Sequence, residues 1–428
     1  MKRHGDLWGE IVDIENIELA FNNARKGKSW QRQVKEVMAD KENKLNELQQ
    51  MLLNKTYKVS PYKVRTIYEP KQRDIYIVPF YPDRVVHHAL INVLAPIWDK
   101  LFIFNSFSCR KGKGQHKGSI WCERYVKRNG YVLQCDVSKF YPSVNHDILM
   151  EIIKQKIKDE DTLWLVEEIV RSFPGNKNVP IGNYTSQWLG NIYLNELDMY
   201  IKHELRVKDY LRYCDDFLLF DNDKQRLREI SQKIKKFCKD RLALKLSRIR
   251  LFPTSKGVDF LGYQHKKEGY MLLRKSTKKR FKKRINRLRW ELKNGLVELD
   301  KARSTVDSIY GWMKHANTYN LRNRLGLDRI RGYIMKGLPK YLNTKEDYLF
   351  LKDNYNKSYW EQAFQNLLDT RYDWFPIEEK DYVEDNLHKK VVDEQEDRVD
   401  YFVFKENENA SIYRLGFTVN EIEDILAG

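Results

Sequence analysis

The chain has 428 residues, of which 42% are hydrophobic and 13% aromatic, enough apolar surface for two or three packed units and too much for a disordered chain. Lys and Arg number 78 against 60 Asp and Glu, unevenly spread: residues 340–428 hold 11 basic and 21 acidic side chains, leaving 67 and 39 on residues 1–339, a net +28. So basic a body calls for a polyanionic partner; five cysteines without a CxxC pair argue against a disulfide framework or zinc ribbon, and without a run of about 18 apolar residues or a secretory apolar stretch in MKRHGDLWGE, a cytoplasmic protein with no membrane partner is expected.

Residues 13–54 read as helical, with Ile14, Ile17, Leu19, Ala20, Val34, Val37 and Met38 near a 3.6-residue period and an interruption around Lys26 and Lys28. Residues 64–80 change to strand character, VRTIYEP and IYIVPF around the turn KQRD. The segment from Asp83 to Trp98 returns to helix, with Asp83 as N-cap. YVLQCDV (131–137) is a short buried strand, followed by a helix from Asn145. YLRYCDDFLLF (210–220) is two apolar strand arms around a polar pair. A lysine-rich amphipathic helix covers 222–246, VDFLGYQ (258–264) is another strand, and 274–339 is a helical unit. Residues 340–428 are acidic and mixed, with apolar clusters YLFL (348–351) and YFVF (401–404) that argue against disorder.

The sharpest chemical signal is the carboxylate pair Asp215–Asp216 at the tip of that apolar hairpin. Like charges this close raise each other's pKa, and a divalent cation reverses the effect. The strand YVLQC ends at Asp136. If the two strands pair, three carboxylates meet and can hold two Mg²⁺ ions about 4 Å apart, the arrangement for in-line phosphoryl transfer. An ordinary hairpin turn is the plainer alternative, which the upstream strand-end Asp disfavours.

DVSKFYPSV (136–144), IGNYTSQ (181–187), YCDD (213–216) and DFLGY (259–263) resemble, in order, the polymerase motifs of reverse transcriptases. The resemblance covers roughly residues 65 to 325 and implies an α+β right-hand polymerase fold with a C-terminal extension. The implied division is an N-terminal helical region (1–64), fingers and an antiparallel-sheet palm (65–265), a basic helical thumb (266–339) and an acidic extension (340–428). It also implies catalytic Asp136, Asp215 and Asp216, with Val137 joining them in the metal set. Tyr141 then packs against the sugar of the incoming dNTP and rejects ribonucleotides; a core tyrosine is the alternative. Lys71 and Arg73 are expected to clamp the triphosphate, and Ile181, Gly182 and Gln187 to border the nucleotide. Leu261, Gly262 and Tyr263 are expected to touch nucleic acid.

Two departures sharpen the resemblance. Most reverse transcriptases have Gln where this chain has Ile181, and Pro where it has Gln187. I-G-x-x-x-S-Q resembles diversity-generating retroelement enzymes and defence-associated bacterial reverse transcriptases of the single-protein type 2 kind. The leading expectation is therefore an enzyme that copies a dedicated structured non-coding RNA into cDNA in antiphage defence. A diversity-generating enzyme and a non-catalytic RNA-binding scaffold are the alternatives.

Two basic segments carry the expected nucleic-acid contacts. SCRKGKGQHKG places Arg110, Lys111, Lys113 and Lys117 among three glycines, without a Walker ending. RKSTKKRFKKRINRLRW (274–290) holds ten cations and no acid, including Lys278, Lys279, Lys282, Lys283 and Arg284, with Phe281, Ile285, Leu288 and Trp290 interleaved.

Overall fold

A computed structural model describes residues 3–68, 72–294, 296–336, 390–393, 398–406 and 409–418. They fall into two compact units, Met1–Tyr270 and Met271–Gly428. No helix among the described residues is long and apolar enough to cross a membrane.

The first unit opens with α1 (Trp8–Val12), α2 (Ile14–Arg25), α3 (Arg32–Ala39) and α4 (Lys41–Leu53). Asp13 caps α2 by accepting from the Glu15 amide. Ile17, Ala20 and Phe21 form its buried stripe, whereas Ile14, Leu19 and Met38 of the expected apolar set stay exposed. A hairpin follows, β1 (Lys63–Ile67) against β2 (Arg73–Ile77), and then the long apolar helix α5 (Val85–Leu101). Asp83 does not cap this helix, whose N-cap is Arg84 with no side-chain bond. The carboxylate is buried instead, accepting from the Tyr57 hydroxyl at 2.8 Å and the Ser60 amide at 3.1 Å.

Next come α6 (Gln115–Arg128), β3 (Tyr131–Val137), α7 (Phe140–Ser143), α8 (His146–Lys154), α9 (Glu160–Val170) and α10 (Tyr184–Met199). The Asn145 side chain caps α8 through the Ile148 amide. The unit closes with β4 (Asp209–Tyr213), β5 (Asp216–Asp221), α11 (Lys224–Leu242), β6 (Leu246–Pro253), β7 (Val258–Phe260) and β8 (Tyr263–His265). The strand expected over 258–264 is thus two strands, broken where Leu261 and Gly262 take φ of 51° and 85°.

The central sheet is antiparallel in the order β4-β5-β3-β6. Both faces are covered, so β3 is apolar nearly throughout. Leu133, Cys135 and Val137 join the main core with Leu189, Ile192 and Ile234 of α10 and α11. Val132 points the other way, into a smaller core with Cys122 and Val126 of α6 and Val258 and Phe260 of β7. A period of two sorts the side chains between the faces.

The second unit holds β9 (Met271–Leu273), α12 (Lys275–Lys293), α13 (Leu299–Met313), α14 (Tyr319–Arg324) and α15 (Leu327–Lys336), then β10 (Lys390–Asp393), β11 (Arg398–Glu406) and β12 (Asn409–Thr418) in one antiparallel sheet. Phe281, Ile285, Leu288 and Leu292 make the buried stripe of α12. Trp290, expected among them, is 59% exposed. YFVF (401–404) lies in β11, while YLFL (348–351) lies outside the described residues.

Candidate active site

Strand register builds the site. Asp136 is the cross-strand partner of Asp216, and the Val137 amide donates to the Asp215 carbonyl at 3.3 Å. Asp136 and Asp216 share parity with Val132 and Leu218, so both carboxylates lie on one face at the end of the sheet. Like charges directly opposite are destabilising unless something neutralises them. On the far side of β3, Arg248 is the partner of Asp136. The neighbouring Ser247 hydroxyl donates to an Asp136 carboxylate oxygen.

The β4–β5 connection is a two-residue turn, Cys214-Asp215, closed by the pair Tyr213 and Asp216. Such a turn needs left-handed backbone, and Cys214, not a glycine, has φ 52°. Local strain of this kind persists only where the surroundings over-determine it. Arg212 supplies part of that support. Its fully buried guanidinium pairs with Asp198 of α10 at 2.6 Å and also donates to Asn191, Ser106 Oγ and the Cys214 carbonyl. The Tyr210 hydroxyl donates to the same Asp198 at 2.6 Å. Sequence reasoning passed over this buried network; its signal was an Arg in an otherwise apolar strand arm, for which a buried partner is required.

Tyr141 lies one short helix beyond Asp136. Its ring packs on Phe140, with centroids 5.1 Å apart, over Gly190, where a Cβ would come within 3.2 Å of Tyr141 Cε1. Burial first, then the nearby thiols of Cys214 and Cys109, push its phenol well above the ordinary range, so it stays neutral. The 181–187 segment is tied to the β1–β2 hairpin: the Tyr76 amide donates to the Ile181 carbonyl at 2.7 Å. Gly182 has φ 124°, and a Cβ there would stand 2.5 Å from the Tyr76 carbonyl oxygen, so this close approach requires glycine. Ser186 Oγ donates to the Pro180 carbonyl.

Tyr141, Ile181, Gly182 and Gln187 line a cavity of about 370 Å³ with Lys28, Arg84, His88 and Tyr184, and no acid is among its lining residues. The last four were not foreseen. His88 stacks on Tyr184 at 4.2 Å. Burial, then the charges of Lys28 and Arg84, push its pKa down to about 4. A half-buried Arg84 beside Lys28 makes this an anion-accepting cavity.

The other expected contacts divide. Lys71 lies outside the described residues, while Arg73 begins β2 and is exposed. Lys111 is exposed as expected. Arg110 departs from the expectation of a phosphate contact: only 6% of its side chain is accessible, and it donates to Asp99 Oδ1 and to the Ile103, Ser106 and Asp99 carbonyls. It clips its own loop, because those acceptors surround it on the inside. Lys113 donates to the Phe104 carbonyl and stands 3.4 Å from the centre of that ring, while Lys117 donates to the Gly112 carbonyl. Tyr263 also departs, being fully buried with its hydroxyl 3.0 Å from His116 Nδ1. Leu261 packs towards Gly118 of α6, and Gly262 completes the β7–β8 turn. In the second unit Lys278, Lys279, Lys282, Lys283 and Arg284 all lie on the exposed face of α12.

Asp136, Asp215, Asp216 and the Val137 carbonyl offer only hard oxygen donors, which suit a divalent cation such as Mg²⁺. Among the described residues, no three His, Cys, Asp or Glu side chains are already gathered as a ligand cage. The fit rests on donor chemistry and register.

Residues 71–265 match the family described as reverse transcriptase (RNA-dependent DNA polymerase). The match covers a little under half of the chain, and the four-stranded sheet that carries Asp136 and Asp216 lies within it. Among similar proteins, Protein YkfC of Escherichia coli (strain K12) is 26% identical over 160 residues, 34% of this chain and 42% of that one. The group II intron-encoded protein LtrA of Lactococcus lactis subsp. cremoris is 24% identical over 179 residues, 39% of this chain and 29% of that one. The chain thus spans less than half the length of these two relatives. A structure of telomerase from Candida albicans in complex with a TWJ fragment of telomeric RNA matches over 74% of this chain and 65% of that one, at 10% identity and a TM-score of 0.40.

Proposed function

We propose that this chain is an RNA-directed DNA polymerase that adds dNTPs to a primer on an RNA template. The observation that carries this reading is the Asp136–Asp216 register at the rim of the palm, one short helix from Tyr141. Asp136, Asp215 and Asp216 would hold two Mg²⁺ ions, which would supply Lewis-acid activation of the primer 3′-hydroxyl and counter-charge for the triphosphate. The chain's own groups do the rest. Tyr141 sets the floor against a 2′-hydroxyl. Arg84 and Lys28 receive a phosphate in the cationic cavity, and Lys71 and Arg73 contact the triphosphate. Gly182, held against the Tyr76 carbonyl, borders the nucleotide cavity. In the second unit, the exposed cations of α12 grip a duplex backbone.

The template we propose is a dedicated, structured non-coding RNA, copied to cDNA in bacterial antiphage defence. The support is the I-G-x-x-x-S-Q motif and the acidic segment after the thumb. The same motif favours a second reading, error-prone copying by a diversity-generating retroelement enzyme. Sequencing the RNA and DNA that copurify with wild type and with the Asp215→Ala/Asp216→Ala variant tests all of this. One enriched RNA in both, with matching cDNA in wild type alone, is expected. Adenine-directed errors in that cDNA would favour diversification. No enriched RNA and no difference in DNA would overturn the proposal.

A further inference from the structure

Three side chains meet behind the catalytic turn. Ser108 Oγ lies 2.7 Å from Cys214 Sγ and 3.2 Å from Cys109 Sγ, so one hydroxyl bridges the two sulfurs. The backbones that carry them are held as neighbours. The Phe107 amide donates to the Arg212 carbonyl at 3.0 Å, Ser106 forms a bridge with Arg212, and Asn191 donates to the Ser108 carbonyl at 2.9 Å. Cys109 and Cys214 both take left-handed backbone, φ 56° and 52°, at positions where glycine is the ordinary choice. Both are partly accessible, whereas Cys122, Cys135 and Cys238 are buried. The two sulfurs share one hydroxyl as neighbour, their residues lie 105 positions apart in sequence, and Cys214 is adjacent to Asp215, so a disulfide between them would tie the turn to the distant 106–114 loop.

We propose that Cys109 and Cys214 form a peroxide-sensitive modification site, in which a reversible disulfide switches off nucleotide addition at the adjacent carboxylates. The chemistry balances in two steps. One sulfur, as thiolate, attacks the O–O bond of the peroxide, giving a sulfenic acid and hydroxide, and the hydroxide takes up the proton the thiol gave. The second thiol then attacks that sulfur; the S–S bond forms, the S–O bond breaks, and water leaves. In sum, two thiols are oxidised to one disulfide and one peroxide is reduced to two waters. The cross-link draws the two Cβ atoms to about 3.8 Å, which anchors the turn before Asp215 to the 106–114 loop and fixes the carboxylates in one arrangement.

The activity half of this inference rests on the proposed polymerase function; the cross-link does not. Reduced full-length protein is exposed to graded hydrogen peroxide, alkylated and digested, and primer extension on an RNA template is followed in parallel. A linked peptide joining Cys109 and Cys214 is expected, with the other three cysteines still alkylated. Synthesis falls at least ten-fold as that peptide accumulates and returns with dithiothreitol. Cys109→Ser keeps its synthesis in reductant and loses the reversible inhibition. The inference is overturned if the two sulfurs oxidise without pairing, if linked protein still extends primers at the reduced rate, or if Cys109→Ser stays equally sensitive. If reduced protein extends no primer at all, the polymerase reading fails, and the peptide alone decides the modification site.

Discussion

The strand ends that carry Asp136 and Asp216 and the 108–118 segment that packs beside them both concentrate charge, and they handle it in opposite ways. At the ends of β3 and β5, Asp136 and Asp216 face each other across adjacent strands by register, and a divalent cation is the counter-charge that suits their oxygen donors. In the loop, Arg110 finds four bonds among Asp99 and three carbonyls, and Lys113 and Lys117 each donate to a carbonyl. One cluster sets like charges side by side, with oxygen donors fit for a cation. The other is largely satisfied by it and is fit to hold shape. Charge density in the sequence does not distinguish the two; the position of the acceptors does.

The largest effect that would break this contrast is at the palm. Asp136→Asn and Asp215→Asn are each expected to lower single-nucleotide incorporation by about 10³-fold, with the melting temperature held near wild type, and chelation of divalent cations to do the same. Full incorporation by either variant would place the chemistry elsewhere. Arg110→Ala should act on the other side of the comparison, destabilising the fold by about 2 to 3 kcal/mol through stranded acceptors and a vacated site. Urea unfolding measures that loss, while RNA affinity of the folded fraction stays unchanged; a selective loss of RNA affinity would make Arg110 a phosphate contact after all. Lys111, exposed on the same loop, provides the control: Lys111→Ala should leave stability alone and lower the salt slope of RNA binding by about one. Between these in size, Tyr141→Ala should cut discrimination against ribonucleotides by about 10- to 100-fold, read from competing incorporation.

A pH effect sharpens the same distinction between satisfied and unsatisfied charge. Burial first, and then His88 and Arg84, pushes the pKa of His87 down to about 3; burial does the same to His265, to about 4, against a backbone bond to Phe260 that raises it. The unfolded chain takes up these protons near pH 6.5 and the folded chain does not. Their contribution is therefore fully present above about pH 6.5 and is lost as pH falls towards 4, by about 1.4 kcal/mol per pH unit for each. Urea midpoints from pH 7 to pH 4 should fall accordingly, with a shallower slope in His265→Gln.

Much of the fold was legible because it depends on local pattern. The 210–220 hairpin, the helix capped by Asn145 and the strand ending at Asp136 all form where their periodicity and caps indicate. The departures at Asp83 and Tyr263 share one cause, which is burial contributed by distant residues. Asp83 resembles an N-cap until Tyr57 and Ser60 claim it. Tyr263 resembles a surface contact until folding buries it with its hydroxyl beside His116. Trp290 keeps helical spacing but sits off the stripe made by Phe281, Ile285, Leu288 and Leu292.

By itself the sequence determined the ordered motifs, the short strands with their carboxylates and the basic helical segment, because each is set by residues close along the chain. Tertiary structure alone decided which charges bind and which brace. It set Asp136 against Asp216, brought Lys28, Arg84 and His88 to the cavity beside Tyr141, buried the Arg212–Asp198 pair behind the turn, and bridged Cys109 and Cys214 through Ser108. Those pairings join residues from different secondary-structure elements, at least 14 positions apart. Their energies depend on register and desolvation, and both arise only once the strands have paired and the helices have closed over them.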